Sequence, residues 1–291
     1  MASMNKLTTT KRAEVIGLLC EGMSMRAICR TTGVARQTIS DLLENVGQAA
    51  SDYQARVFVN LPCKVIECDE IWSFCFSKQK NVPESKKGEL GYGDVWTWTA
   101  IDADTKLVPT WLVGERTIPD GYVFLSDLKM RLRDAKIQLT TDGLATYLTV
   151  VDGLWGENID FAMLHKIYGA GKEGRGPERT YSPAECTGID IRVISGDPDM
   201  SRVSTSYVER QNLTMRMGMR RFTRLTNGFS KKIEFHAHAV SLNFMYYNFA
   251  RPHISLRVKN PEGTFNKRTP AMAAGIADHI WSTREIAELL D

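Results

Sequence analysis

The chain has 291 residues, 43% of them apolar, 9% aromatic and 24% charged, with a formal net charge of +3. That length carries one large domain with a small one, or two medium domains, and the apolar share excludes an extended disordered chain. Apolar runs stop well short of the ~18 residues of a membrane span and the N-terminus lacks an apolar signal core, so the expectation is a cytoplasmic protein with no membrane partner.

In chain order, residues 8–46 read as three short helices. The first, over 10–21, gathers Val15, Ile16, Leu18 and Leu19 on one side, and Gly22 ends it. Ser24 caps a second helix over 25–32, Gly33 turns the chain, and a third helix runs over 35–45. Ile28, Val34, Ile39 and Leu42 form a miniature core, with the small Ala27 where two helices cross. Arg36, Gln37, Thr38, Ser40 and Asp41 are left facing outward. This is the layout of a helix-turn-helix that sets a helix in the major groove. A three-helix packing unit with no DNA role is the alternative. The expected organisation is a helix-turn-helix domain over 1–50 and a linker over 51–62 that ends at Pro62.

A strand-rich region follows. Residues 65–72 form a strand candidate that carries acids inside an apolar run. Strands over 95–101 and 107–113 are joined by the turn 102–105, a helix covers 120–134, a short strand covers 137–141, and a weaker one covers 161–167. Residues 169–200, rich in Gly, Pro and charge, read as a loop or insertion, and helices follow over 204–222 and 231–249. The predicted fold class is α/β. It is a ribonuclease-H-like mixed five-stranded sheet with flanking helices over 63–255, preceded by the small all-α domain and followed by a C-terminal extension over 256–291. The six cysteines are irregularly spaced without a C-x-x-C pair, which favours reduced thiols. A zinc site from Cys63, Cys68, Cys75 and a histidine stays open.

Charge is segregated along the chain. Residues 51–200 carry 17 Lys/Arg against 23 Asp/Glu, and residues 201–270 carry 13 against 3. An acidic core followed by a basic segment suits a polyphosphate substrate held over a cation site. Asp69 lies within a strand, where an unpaired buried charge costs several kcal/mol. Asp142 lies at the C-terminal end of another strand, where ligands bind in open α/β sheets. Glu209 lies early in a helix. At 100° per residue, Val208, Met215, Met219 and Phe222 fall within an arc of about 60°, and Glu209, Asn212, Arg216 and Arg220 lie beside it within about 80°. Converging carboxylates of this kind hold two divalent ions for in-line phosphoryl transfer, with Asn212 and the arginines near the phosphates. Glu67 and Glu70 compete with Asp69 for this role, and Asp134 and Asp152 compete with Asp142. Spacing alone leaves the choice open.

The motifs Cys68-Asp-Glu-Ile-Trp-Ser-Phe74, Gly93-Asp-Val-Trp-Thr-Trp98, Thr141-Asp-Gly143 and Ser206-Tyr-Val-Glu-Arg-Gln-Asn212 resemble those of another group of proteins. So do Met217-Gly-Met-Arg-Arg-Phe-Thr-Arg-Leu-Thr226, His236-Ala-His238, Tyr247-Asn-Phe-Ala-Arg-Pro-His253 and Thr269-Pro-Ala-Met272. Together they are similar to the DDE transposases of bacterial insertion sequences, and closely to the insertion-sequence-one type, over nearly the whole chain. The resemblance implies that Asp69, Asp142 and Glu209 are the catalytic, metal-binding triad. It implies two Mg2+ (or Mn2+) ions, and double-stranded DNA as the partner, both element ends and target. It also implies a homodimer or higher homo-oligomer on DNA, associated with the nucleoid. Arg36, Gln37, Thr38, Ser40, Asn212, Arg216 and Arg220 are the DNA-binding candidates. The chain departs from many relatives in showing no zinc-ribbon pattern ahead of the helix-turn-helix, and in an insertion over 260–268. The implied reaction is cleavage at an element end followed by strand transfer. A ribonuclease-H-like nuclease without joining, and a non-catalytic DNA-binding regulator, are the rivals.

Overall fold

A computed structural model describes residues 6–134, 136–169, 186–223 and 227–291. Three helices open the chain: α1 (Thr9–Cys20), α2 (Met25–Thr32) and α3 (Arg36–Val57). The Ser24 hydroxyl accepts from the Ala27 N–H to cap α2, and Gly33 ends that helix at φ 72°, in the left-handed region that favours glycine. Ile28, Val34, Ile39 and Leu42 are all buried beneath these helices.

α3 runs on to Val57 rather than ending near residue 45, so the segment expected as a linker begins as helix. Packing explains the extension. Leu43, Val46 and Ala50 continue the buried stripe at three- and four-residue spacing. Gly47 allows a close crossing with a later helix: a Cβ there would lie 2.5 Å from His238 Cβ, and the Ser241 hydroxyl donates to the Gly47 carbonyl at 2.7 Å.

Among the described residues the central sheet has six strands: β1 (Val65–Cys75), β2 (Gly93–Asp102), β3 (Trp111–Gly114), β4 (Gln138–Thr141), β5 (Asp160–Tyr168) and β6 (Cys186–Ser195). Their order is β3-β2-β1-β4-β5-β6. The β1–β2, β2–β3 and β5–β6 pairs are antiparallel, and the β1–β4 and β4–β5 pairs are parallel. β6 corrects the five-strand expectation. It lies inside the segment read as loop, of which residues 170–185 fall outside the described residues. The alternation Ile189-Asp-Ile-Arg-Val193 is a period-two strand signal, obscured by its Gly- and Pro-rich surroundings. β3 is shorter than expected. Ahead of it, the Asn248 side chain accepts from the Val108 N–H and donates to the Val108 carbonyl, satisfying a backbone that no strand pairs.

Helices cover both faces of the sheet. Ile66, Cys68, Trp98, Phe124 and Tyr147 join α4 (Ile118–Arg131), the helix expected over 120–134, and α5 (Thr146–Trp155), a helix not expected from the sequence, to one face. This core continues without a break into α1–α3. Ile71, Val208, Met215, Val240 and Phe244 join α6 (Ser206–Gly218) and α7 (Ile233–Met245) to the other face. α6 was expected to reach residue 222. It ends at Gly218 because Met219 turns extended (φ −126°, ψ 107°), and Arg220–Phe222 forms a separate 3-10 turn. α7 gives way to a π-helical turn at Tyr246–Ala250. The C-terminal extension carries a small hairpin, β7 (Val258–Lys259) with β8 (Phe265–Asn266), then α8 (Pro270–Ala273) and α9 (Thr283–Glu288). Buried Ile286 and Ala287 of α9 return to the core of α1, where Arg12 pairs with Asp291.

Candidate metal centre

The parallel register of β1 and β4 sets two acids side by side. Cys68 pairs with Thr141, so Asp69 and Asp142 are the next residues on neighbouring strands. On the same face of β1, two residues before Asp69, lies the buried Glu67. Its Oε2 accepts from the backbone N–H groups of Tyr207 and Val208 at 2.7 and 3.0 Å. These are otherwise unpaired donors of the first turn of α6, and a carboxylate suits the positive end of the helix. Burial pushes the Glu67 carboxyl up to about 7, against the pull of the two N–H bonds. This anchor fixes the start of the helix that carries Glu209.

Asp69, Asp142 and Glu209 thereby line one open cleft of about 560 Å3, together with Lys166, Asn212 and Arg216. The Asp69 carboxylate accepts from its neighbour's backbone N–H (Glu70) and from Asn212 Nδ2, both at 2.8 Å. Burial, then the charges of Asp142 and Glu209, raise Asp69 to about 6. Asp142 accepts from the Leu144 N–H at 3.0 Å and faces Arg116 Nη2 at 3.4 Å. Glu209 accepts from the Thr205 hydroxyl at 2.8 Å, and the Lys166 ammonium sits on both of its oxygens.

The competing acids have other partners. Glu70 points to the opposite side of β1, where Tyr147 and Arg116 donate to its two oxygens, and burial with the charge of Asp142 raises it to about 8. Asp134 pairs with Lys64 at 3.5 Å, and Asp152 is exposed on α5.

The donor set suits a hard divalent cation. Oxygens of Asp69, Glu70 and Asp142 lie within 4.8 Å of one another, the one such grouping of His, Cys, Asp or Glu among the described residues. The Asn212 Oδ1 atom is buried with no hydrogen-bond partner beside it. Glu209 stands outside that tight grouping, its charge met by Lys166. The cysteines form no comparable cluster among the described residues, and all six are free.

The remaining candidates fall in two places. Asn212 is buried, with its amide on Asp69, so it holds a carboxylate rather than facing a phosphate. Arg216 lines the cleft. Arg220 does not share its helical line, since α6 ends before it. Arg36 and Gln37 are exposed and Thr38 and Ser40 half-buried at the start of α3, with Gln37 bonded to Asp41. The sequence reading missed Glu67 as an anchor, and also Lys166 and Arg116. Lys166 had one available signal, its place toward the C-terminal end of a strand parallel to β4.

No family model matches the chain, and no curated protein matches it. Among solved structures, it is similar to a pre-cleavage Mos1 transpososome at 14% identity, over 55% of this chain and 61% of that one, with a TM-score of 0.24. It is similar to the Mos1 mariner paired-end complex with Mn at 12% identity over the same shares, TM-score 0.24. A piggyBac transposase synaptic complex with hairpin DNA overlaps 100% of this chain and 73% of that one, at 12% identity and a TM-score of 0.38. The chain thus spans 61% of the chains in these two Mos1 complexes, and overlap this loose leaves the chemistry of the cleft to carry the assignment.

Proposed function

We propose that the chain is a DNA transposase that cuts and joins DNA at the cleft of Asp69, Asp142 and Glu209. One observation carries this reading. Three carboxylates from segments far apart in sequence line one cleft at a mixed sheet, which Arg216 lines as well. An acidic cluster alone repels DNA, and it gains a purpose when divalent cations lie between it and a phosphate.

In this reading the first five strands form a ribonuclease-H-like sheet, and α2 and α3 act as a helix-turn-helix. Asp69, Asp142 and Glu209 would hold Mg2+ or Mn2+, which supplies Lewis acidity toward phosphate oxygens when bound. Glu67 sets the height of α6 over β1, and Asn212 keeps Asp69 in one rotamer. Arg216, on the open side, binds a phosphate. Lys166 neutralises Glu209 in the resting protein and turns toward phosphate when Glu209 takes up its ligand role. Water first displaces the strand at an element end and leaves a 3′-OH. That hydroxyl then attacks a target phosphodiester, and the new P–O bond forms as the target strand's own 3′-oxygen leaves.

A second reading has its own support. Both Asp142 and Glu209 already face cations of the chain, Arg116 and Lys166, as they would in a DNA-binding regulator with no metal. A strand-transfer assay with candidate element ends, Mg2+ and a plasmid target separates the readings. Joined product supports the transposase, cleavage without joining supports a plain nuclease, and binding without cleavage supports the regulator.

A further inference from the structure

A second, larger cleft of about 910 Å3 lies where the N-terminal helices meet the connection from α6 to α7. Arg36, Arg220, Arg221, Lys231 and Lys232 line it, and none of its lining residues is an Asp or Glu. Elsewhere on the chain cations sit on carboxylates, as Lys64, Arg131, Lys136 and Arg202 do. None of the five in this cleft is paired with a carboxylate among the described residues. A solvated basic face would be convex and interspersed with acids. This one is concave and of one sign.

Arg221 is fixed without an acid. Its guanidinium donates to the Ser230 hydroxyl at 2.8 Å, which in turn contacts Nδ1 of the buried His236 at 2.8 Å. Burial, and Arg221 itself, hold His236 down to about 3, so the imidazole stays neutral and adds no second charge beside the arginine. Two helices also begin at this cleft without a side-chain cap, α3 after Ala35 with no acid in its first turn and α7 after Lys232 with Glu234 in its first turn. The uncapped first turn of α3 adds to the pull on an anion.

The two clefts touch neighbouring positions at the C-terminal end of α6. Arg216 lines the one, and Gly218 to Arg221 line the other. The turn after α1 is packed on this end of α6: a Cβ at Gly22 would lie 2.4 Å from the Gly218 carbonyl oxygen. From Glu209 to Gly218 a helix rises roughly 14 Å at 1.5 Å per residue. That matches about four nucleotides at the 3.4 Å spacing of one strand.

We propose that this second cleft holds the phosphodiester backbone of DNA about four nucleotides from the scissile phosphate, gripped between Arg36 of α3 and Lys231 and Lys232 at the start of α7. The proposal rests on the DNA-cutting reading above. It makes the N-terminal helices and the basic segment two jaws of one clamp rather than separate DNA-binding units.

The test compares three full-length proteins: wild type, Lys231→Glu/Lys232→Glu, and a charge-matched control, Lys86→Glu/Lys87→Glu. Both pairs are at the surface, and thermal melts confirm folding. Affinity for a short fluorescent duplex is read against salt in Ca2+, and polyglutamate is titrated in parallel. The cleft variant is expected to lose about two units of log–log salt slope, and the control none. Equal slopes for the two variants, with DNA binding intact, overturn the cleft and leave the DNA reading standing. An unchanged DNA slope with polyglutamate binding lost only in the cleft variant assigns the cleft to an acidic polypeptide, and also overturns the proposal. A wild-type protein without salt-sensitive DNA affinity removes the DNA reading, and the cleft proposal with it.

Discussion

The Lys166 ammonium lies against both carboxylate oxygens of Glu209. The side chain read as the third metal ligand therefore meets a cation of its own chain first. Any ion that Glu209 holds competes with that lysine. Lys166→Met should tighten Mn2+ binding several-fold in a calorimetric titration. Weakened binding would make Lys166 a support that orients Glu209 rather than a competitor.

Glu67 and the N-terminus of α6 form a second testable unit. Glu67→Ala leaves the buried Val208 N–H and the half-buried Tyr207 N–H without an acceptor, at a cost of about 2 kcal/mol in chemical denaturation. Glu67→Gln retains an acceptor and should cost less. Both should slow DNA cleavage more than they weaken DNA binding, because Glu209 loses its position while the basic surfaces stay intact. Equal losses in cleavage and binding would count against a positioning role.

The buried acids set a pH dependence. Burial raises Glu67 to about 7 and, together with the charge of Asp142, Asp69 to about 6 and Glu70 to about 8. The folded protein therefore binds more protons than the unfolded chain, whose carboxyls titrate near their ordinary values of about 4. This stability is complete below the unfolded values and is lost as pH rises through the folded ones. His236, held down to about 3, acts in the opposite sense, but only below its ordinary value of 6.5. Between pH about 6.5 and 8 Glu67 and Glu70 act in the same sense as His279, which its bonds to Glu285 and Asp278 raise above its ordinary value, so the metal-free melting temperature should fall as pH rises. Mg2+ should flatten the slope by favouring the ionised carboxylates. A flat profile without metal would contradict the burial of these acids.

Gly47 tests whether the N-terminal helices are docked on the sheet domain. Gly47→Ala places a methyl against His238 and should cost about 1–3 kcal/mol. An unchanged or raised melting temperature would show the crossing of α3 and α7 to be looser than described.

Much of this architecture was legible beforehand, for identifiable reasons. Ser24, Gly33 and the Ile28–Ile39 pair announce α2 and α3 through local chemistry that tertiary contacts do not override. The strand cores were likewise readable from apolar runs. The end of α3 was not, because Leu43, Val46 and Ala50 extend a stripe whose partner, α7, lies nearly 200 residues away, as the Ser241–Gly47 bond shows. Asp69, Asp142 and Glu209 were singled out through the resemblance, since spacing alone left Glu67 and Glu70 in contention. In the structure Glu70 emerges on the opposite side of β1, whereas Glu67 shares a face with Asp69 and differs from it by the α6 N-terminus it holds, and neither placement can be read from spacing. Lys166 and Arg116 were missed because their roles depend on acids distant in sequence. Arg220 was misplaced by extending an ideal helix through Met219.

Single-turnover cleavage of element-end DNA in Mg2+, with DNA affinity measured on the same proteins, tests the central claim most directly. Asp69→Asn, Asp142→Asn and Glu209→Gln should each abolish cleavage while binding DNA as well as wild type or slightly better, because each removes a ligand and a negative charge but little surface. Wild-type cleavage that persists in Asp142→Asn or Glu209→Gln, or that proceeds unchanged in a chelator, would contradict the account.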